Sequence, residues 1–173
     1  WLLTVRDPVE GTESWIYQHF MENDYKKVIT KIISTLFTID QPVFNENNSI
    51  GVRLDDLKQK PKETIAALCD WMGIKEENTL YEMTAQGKKW WGDHSTPFLP
   101  AFGKVDKRKL GKVFSKKDKF ILDTIYYPFR VKFNYTEENI EKFRKDLKTI
   151  RPMINEIFDF EKEIAINLNI DKK

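Results

Sequence analysis

Apolar and polar positions along this chain follow two periods, one suited to strands and one to helices. Residues 1–5, WLLTV, form a short apolar run that stops at Arg6, Asp7 and Pro8, the pattern of a buried strand ending at a breaker. Residues 12–21 read as a helix. Residues 25–37 read as a second, with Val28, Ile29, Ile32, Ile33 and Leu36 at helical spacing. A loop holding Pro42 and the polar run NENN leads to a short strand, SIGVRL. The next helix has Pro61 in its first turn, Ile65, Leu68 and Met72 on one face, and Gly73 placed to end it. Residues 75–107 keep no sustained period, which predicts a long loop that is functional or covers a site. Ser115 and Asp118 stand at capping-box spacing before a helix running through Phe120, Ile121 and Ile125, which Pro128 should kink or end. Thr136 is expected to cap a further helix. Pro152 is expected to divide that helix from a last one carrying Ile154, Ile157, Phe158 and Ile164.

Strands alternating with helices imply a parallel sheet with helices on its faces. Only two strands are legible, so the chain reads as part of an α/β domain, mostly helical, whose other strands lie elsewhere. A start at Trp1, inside a strand, reads as the C-terminal part of a larger domain. The expectation is one domain over 1–173, with 136–173 as packing helices.

Composition narrows the function classes. With 173 residues, 40% apolar and 32% charged, the chain is long enough to bury a sizeable core. Lys+Arg 29 against Asp+Glu 27 leaves a net charge of +2, so no global field recruits nucleic acid and any anion site must be local. No apolar run approaches the ~20 residues a membrane helix needs, so no membrane segment is expected in this part. Cys69 is alone, which excludes an internal disulfide, favours a reducing, cytoplasmic setting and suggests a buried core thiol. His19 and His94 lack ligand-like spacing, so no metal site is expected.

The chemistry begins at Arg6. Ligands of parallel α/β sheets sit at the carboxyl ends of strands, and a guanidinium there can grip phosphate bidentately. Ser14, in the following helix, could add a hydroxyl to the same phosphate. The alternative is structural: Arg6 pairs with Asp7 or Glu10, and Ser14 caps a helix.

Arg-Asp-Pro at a strand end, with serine eight residues after the arginine, resembles the 3′-phosphate-binding motif of the sulfotransferases. Those enzymes use 3′-phosphoadenosine 5′-phosphosulfate (PAPS) on a P-loop-kinase-like, three-layer α/β fold. GVRLDDLKQKPKETIAALCDWMGI is similar to the family's strand, acidic pair and helix, written V-R-Y-E-D-L, then x-x-x-P and a helix ending L-G-I. Leu54 stands in place of the tyrosine and Asp55 in place of the glutamate. VDKRKLGKVFSKKDKFIL lies where the family has a basic loop before its late helix. The resemblance implies that Arg108, Lys109 and the backbone at Gly111 close over the 3′-phosphate, although Leu110 replaces a glycine of the R-K-G form. The other reading of this run is a solvated basic face. Its like charges and weak period predict a segment with little packing of its own, ordered by a bound anion. TAQGKKWWGDHS is similar to the Thr-x-x-Gly-x-x-Trp loop of bacterial and carbohydrate-type members. On that likeness Thr84 contacts the nucleotide, and Trp90, Trp91 and His94 border the acceptor.

The resemblance therefore implies transfer of a sulfuryl group from PAPS to a small-molecule or carbohydrate hydroxyl or amine, with 3′-phosphoadenosine 5′-phosphate as product. The family's 5′-phosphosulfate loop and usual catalytic base precede the Arg-Ser motif and so fall outside this sequence, leaving the catalytic residue unknown. Two rivals stand beside this expectation: a non-catalytic binding or assembly module of the same fold, and a P-loop nucleotide or small-molecule kinase. An upstream Gly-x-x-x-x-Gly-Lys-Ser/Thr loop would mark the kinase.

Overall fold

The computed structural model describes residues 1–82, 84–85, 88–89, 102–103 and 109–169, the two short central segments at 84–85 and 88–89 by their backbone. Along the chain, β1 (Leu2–Val5) is followed by α1 (Pro8–Met21), α2 (Tyr25–Ile39), β2 (Ile50–Arg53), α3 (Leu54–Gln59) and α4 (Pro61–Met72). Then come β3 (Thr84–Ala85), β4 (Lys88–Lys89), α5 (Lys116–Ile125), α6 (Tyr127–Lys132), α7 (Ile140–Met153) and α8 (Asp159–Asn167). The chain is mixed α/β and mostly helical. It divides into two compact units, one made of Trp1, Arg6–Ser49 and Lys107–Lys173, the other of Leu2–Val5 and Ile50–Asp106.

In the second unit β1 and β2 pair in parallel, in a register from Leu2 opposite Ile50 to Val5 opposite Arg53. Val5 and Val52 are the buried residues of the pair. Arg53, at the carboxyl end of β2, donates from Nε to Asp56 Oδ2 at 2.5 Å and from Nη2 to Asp56 Oδ1 at 2.8 Å. That guanidinium holds the Asp56 carboxyl below its usual range. Pro61 opens α4, and Gly73 ends it at φ +66°, a left-handed cap glycine adopts without a Cβ penalty. Cys69 is buried on α4. The strands β3 and β4 form a short antiparallel hairpin.

In the first unit the core joins α1, α2, α5 and α8 through Val9, Ile16, Val28, Leu122, Tyr126 and Ile164. The helix α1 begins at Pro8, four residues ahead of the expected start, because the Asp7 carboxylate already caps it. The capping box of Ser115 and Asp118 is present at α5. The helix breaks ahead of Pro128 as expected: α5 ends at Ile125, and Pro128 stands in the first turn of α6, which opens at Tyr127.

Two further expectations are corrected. The cap of α7 is Asn139, whose side chain accepts from the Lys142 amide, and Thr136 lies outside the helix. Pro152 lies inside the last turn of α7, so Ile154 and Ile157 fall in the turn that follows and Phe158 caps α8. A proline that late removes one hydrogen bond just where the helix ends anyway. The turn is closed by Asp118, fully buried, whose carboxylate accepts from the Asp159 amide at 2.9 Å and the Phe160 amide at 3.1 Å. One carboxylate thus serves the N-termini of two helices.

Candidate functional site

Arg6 is the first residue after β1, and Asp7 follows it into α1. Both oxygens of Asp7 are committed. Its Oδ1 accepts from the amides of Val9 at 3.0 Å and Glu10 at 3.1 Å, and its Oδ2 from Arg130 Nε at 2.8 Å. Arg130 Nη1 also donates to Asp123 Oδ1 at 2.7 Å. The ion-pair partner of Asp7 is therefore Arg130, and the structural alternative that gave Asp7 to Arg6 does not hold. Ser14 caps nothing either, since it sits in the second turn of a helix whose cap is Asp7.

Arg6 is left in an unusual state. Its Nη2 is buried and has no hydrogen-bond partner among the described residues. A buried, unsatisfied nitrogen on a cation is costly, and an exception of that kind calls for an explanation such as an unfilled anion contact. The aliphatic stem of Arg6 lies over Gly11, where an added Cβ would stand 3.7 Å from Cδ. Ser14 is three residues beyond Gly11 and Tyr17 three beyond Ser14, so each neighbours the next along a stripe that winds about 60° around α1 at every step. Lys109 reaches the same stripe, its Nζ 5.9 Å from the centre of the Tyr17 ring.

The approach to Gly111 differs from expectation. Gly111 adopts φ +70°, and its N–H donates to Glu13 Oε2 at 3.0 Å. The next three amides, of Lys112, Val113 and Phe114, donate to Glu13 Oε1 at 2.9, 2.9 and 3.1 Å. The backbone concavity foreseen for a ligand anion is thus occupied by a carboxylate of the chain itself. Val113 and Phe114 are buried in the core, so the end of the basic run is packed, while Lys109, Gly111 and Lys112 are exposed.

The first unit therefore places Arg6, Ser14, Lys109 and Gly111 around α1, Arg6 beside Gly11, Lys109 beside Tyr17 and Gly111 at Glu13. Thr84 belongs to the other unit, in β3. Trp90, Trp91, His94 and Arg108 lie outside the described residues. Leu54, at the tyrosine position of the resembled motif, is half-buried at the start of α3.

Glu13 was the residue the sequence reading missed. Its signal was present: Val9, Thr12, Glu13, Ile16 and Phe20 form the buried stripe of α1, and an acid on that stripe demands partners. Among the described residues no three His, Cys, Asp or Glu side chains come together to hold a metal ion. No described helix is long and apolar enough to cross a membrane. No family model, curated protein or solved structure matches the chain.

Proposed function

We propose that this chain supplies the 3′-phosphate-binding part of a PAPS-dependent sulfotransferase, on a P-loop-kinase-like α/β domain. In the reaction an acceptor hydroxyl or amine attacks sulfur. A new O–S or N–S bond forms, the bond from sulfur to the 5′-phosphate oxygen breaks, and 3′-phosphoadenosine 5′-phosphate leaves as the acceptor loses its proton. Arg6, Ser14 and Lys109 hold the 3′-phosphate and so fix the donor for in-line attack. Positioning of that kind is a large part of the rate enhancement in such a transfer.

The reading is carried by one observation: the Arg6 guanidinium, at the end of β1, keeps a buried nitrogen without a partner among the described residues, while Asp7 is engaged by Arg130. The stripe of Gly11, Ser14 and Tyr17, with Lys109 beside it, supports it with a hydroxyl and a second cation. Gly111 contributes turn geometry, its amide being bound to Glu13.

Calorimetry on the full-length protein tests the reading. It should bind 3′-phosphoadenosine 5′-phosphate roughly 10- to 100-fold more tightly than adenosine 5′-phosphate, the difference expected from one or two charge-assisted hydrogen bonds. Equal affinity for the two nucleotides would overturn it. Selective binding without PAPS-dependent sulfation of any acceptor would point to the non-catalytic module.

A further inference from the structure

Glu13 is 5% exposed and lies on the apolar stripe of α1 between Val9 and Ile16. A carboxylate buried there needs compensation. No described ion pair includes it; its compensation is the four consecutive amides of Gly111, Lys112, Val113 and Phe114. Successive N–H groups aimed at one point form a local positive field, and the left-handed turn at Gly111 (φ +70°) helps to converge them. A Cβ at Gly111 would meet nothing within 4 Å, so glycine serves the turn there and not a close approach.

The placement of this tie matters more than its strength. Ser14 is the next residue on α1, rotated onto the neighbouring, half-buried face. Lys109 is two residues ahead of Gly111 and extends to the ring of Tyr17, one turn beyond Ser14. The geometry points to Glu13 as a positioning residue: it fastens segment 111–114 to α1 and so holds Lys109 over the Ser14 stripe, leaving the ligand anion to be met by side chains alone. This inference rests on the nucleotide reading above and adds to it how the second cation is held.

Glu13→Gln is a selective probe. The amide oxygen can still accept from Lys112, Val113 and Phe114, while its NH2 group faces the Gly111 N–H donor to donor. In the full-length protein, Glu13→Gln should weaken binding of 3′-phosphoadenosine 5′-phosphate about three- to tenfold and leave adenosine 5′-phosphate unchanged. Lys109→Ala should do the same. The double variant should bind no more weakly than either single one, because the two act through one contact. Additive losses, equal losses for both nucleotides, or undiminished binding would each overturn the inference. If Glu13→Gln does not fold, Glu13→Asp, one methylene shorter, is held to the same expectations. Failure of this inference is distinct from failure of the reading beneath it. When the wild type prefers the 3′-phosphorylated nucleotide and Arg6→Ala removes the preference, uncoupled Glu13 and Lys109 overturn the inference alone. When the wild type shows no preference, both fall.

Discussion

Replacing Arg130 by alanine should expose how the start of α1 is held. Arg130 spans two carboxylates, Asp7 at 2.8 Å and Asp123 at 2.7 Å, with side-chain exposures of 20% for Arg130, 9% for Asp7 and 31% for Asp123. Removing one partner of a fully buried pair costs about 3–5 kcal/mol, since a charge is left uncompensated. Asp7 keeps its two capping amides and Asp123 is partly solvated, which brings the expected loss to about 2–4 kcal/mol. Asp123 adds a pH signature. Burial raises its carboxyl above the ordinary value, and the attraction of Arg130 opposes that rise. A carboxyl with a raised folded pKa holds its proton more tightly in the folded state, so its contribution falls as pH rises from the unfolded value through the folded one. Without Arg130 that rise grows, and Arg130→Ala should regain part of its lost stability between pH 7 and pH 5. Urea unfolding followed by circular dichroism at both pH values measures this. A loss below about 1 kcal/mol at pH 7, or the same loss at pH 5, would refute the network's role.

Tyr126→Phe should change stability by less than about 0.5 kcal/mol or raise it, because the Thr12 hydroxyl beside the buried Tyr126 hydroxyl gives its proton to Thr35 at 3.1 Å and no other described group stands at hydrogen-bond distance. Burial pushes the Tyr126 hydroxyl up to about 12, so wild-type stability should fall as pH rises above the unfolded value near 10. Unfolding of Tyr126→Phe should depend less on pH there. Ser115→Ala removes the acceptor of the Asp118 amide at 3.0 Å and a donor to Asp159 at 2.8 Å, and thermal unfolding should show a loss of about 1–2 kcal/mol. Gly73→Ala meets no obstacle within 4 Å but must adopt φ +66°, and should cost about 1 kcal/mol in the same assay.

Elements marked by local chemistry were legible in the sequence. The capping box at Ser115 and the Pro61 to Gly73 punctuation of α4 act within a few residues, and both stand where their spacing put them. Element ends governed by competing caps were less legible. Asp7 and Asn139 displaced the expected starts because several side chains nearby could cap, and the choice depends on which of them the rest of the unit holds in place, as Arg130 holds Asp7. One of the two partners of Arg130, Asp7, lies 123 residues away, and the four amides that Glu13 binds lie 98 to 101 residues beyond it. No local pattern carries such pairings. The placement of Arg6 and Ser14 was readable because a strand end and a helix period specify it. The occupation of the Gly111 turn by Glu13 was not.

The most direct test of the account is the response of two nucleotides to Arg6→Ala in the full-length protein. Calorimetry should show affinity for 3′-phosphoadenosine 5′-phosphate falling roughly 10- to 100-fold, the loss of a contact worth about 1.5–3 kcal/mol, with adenosine 5′-phosphate scarcely affected. Arg6→Lys should recover only part of the loss, since an ammonium cannot reproduce the bidentate grip. Equal losses for both nucleotides, or no loss for either, would contradict the claim that the Arg6 guanidinium, whose Nη2 has no partner among the described residues, is there to bind a 3′-phosphate.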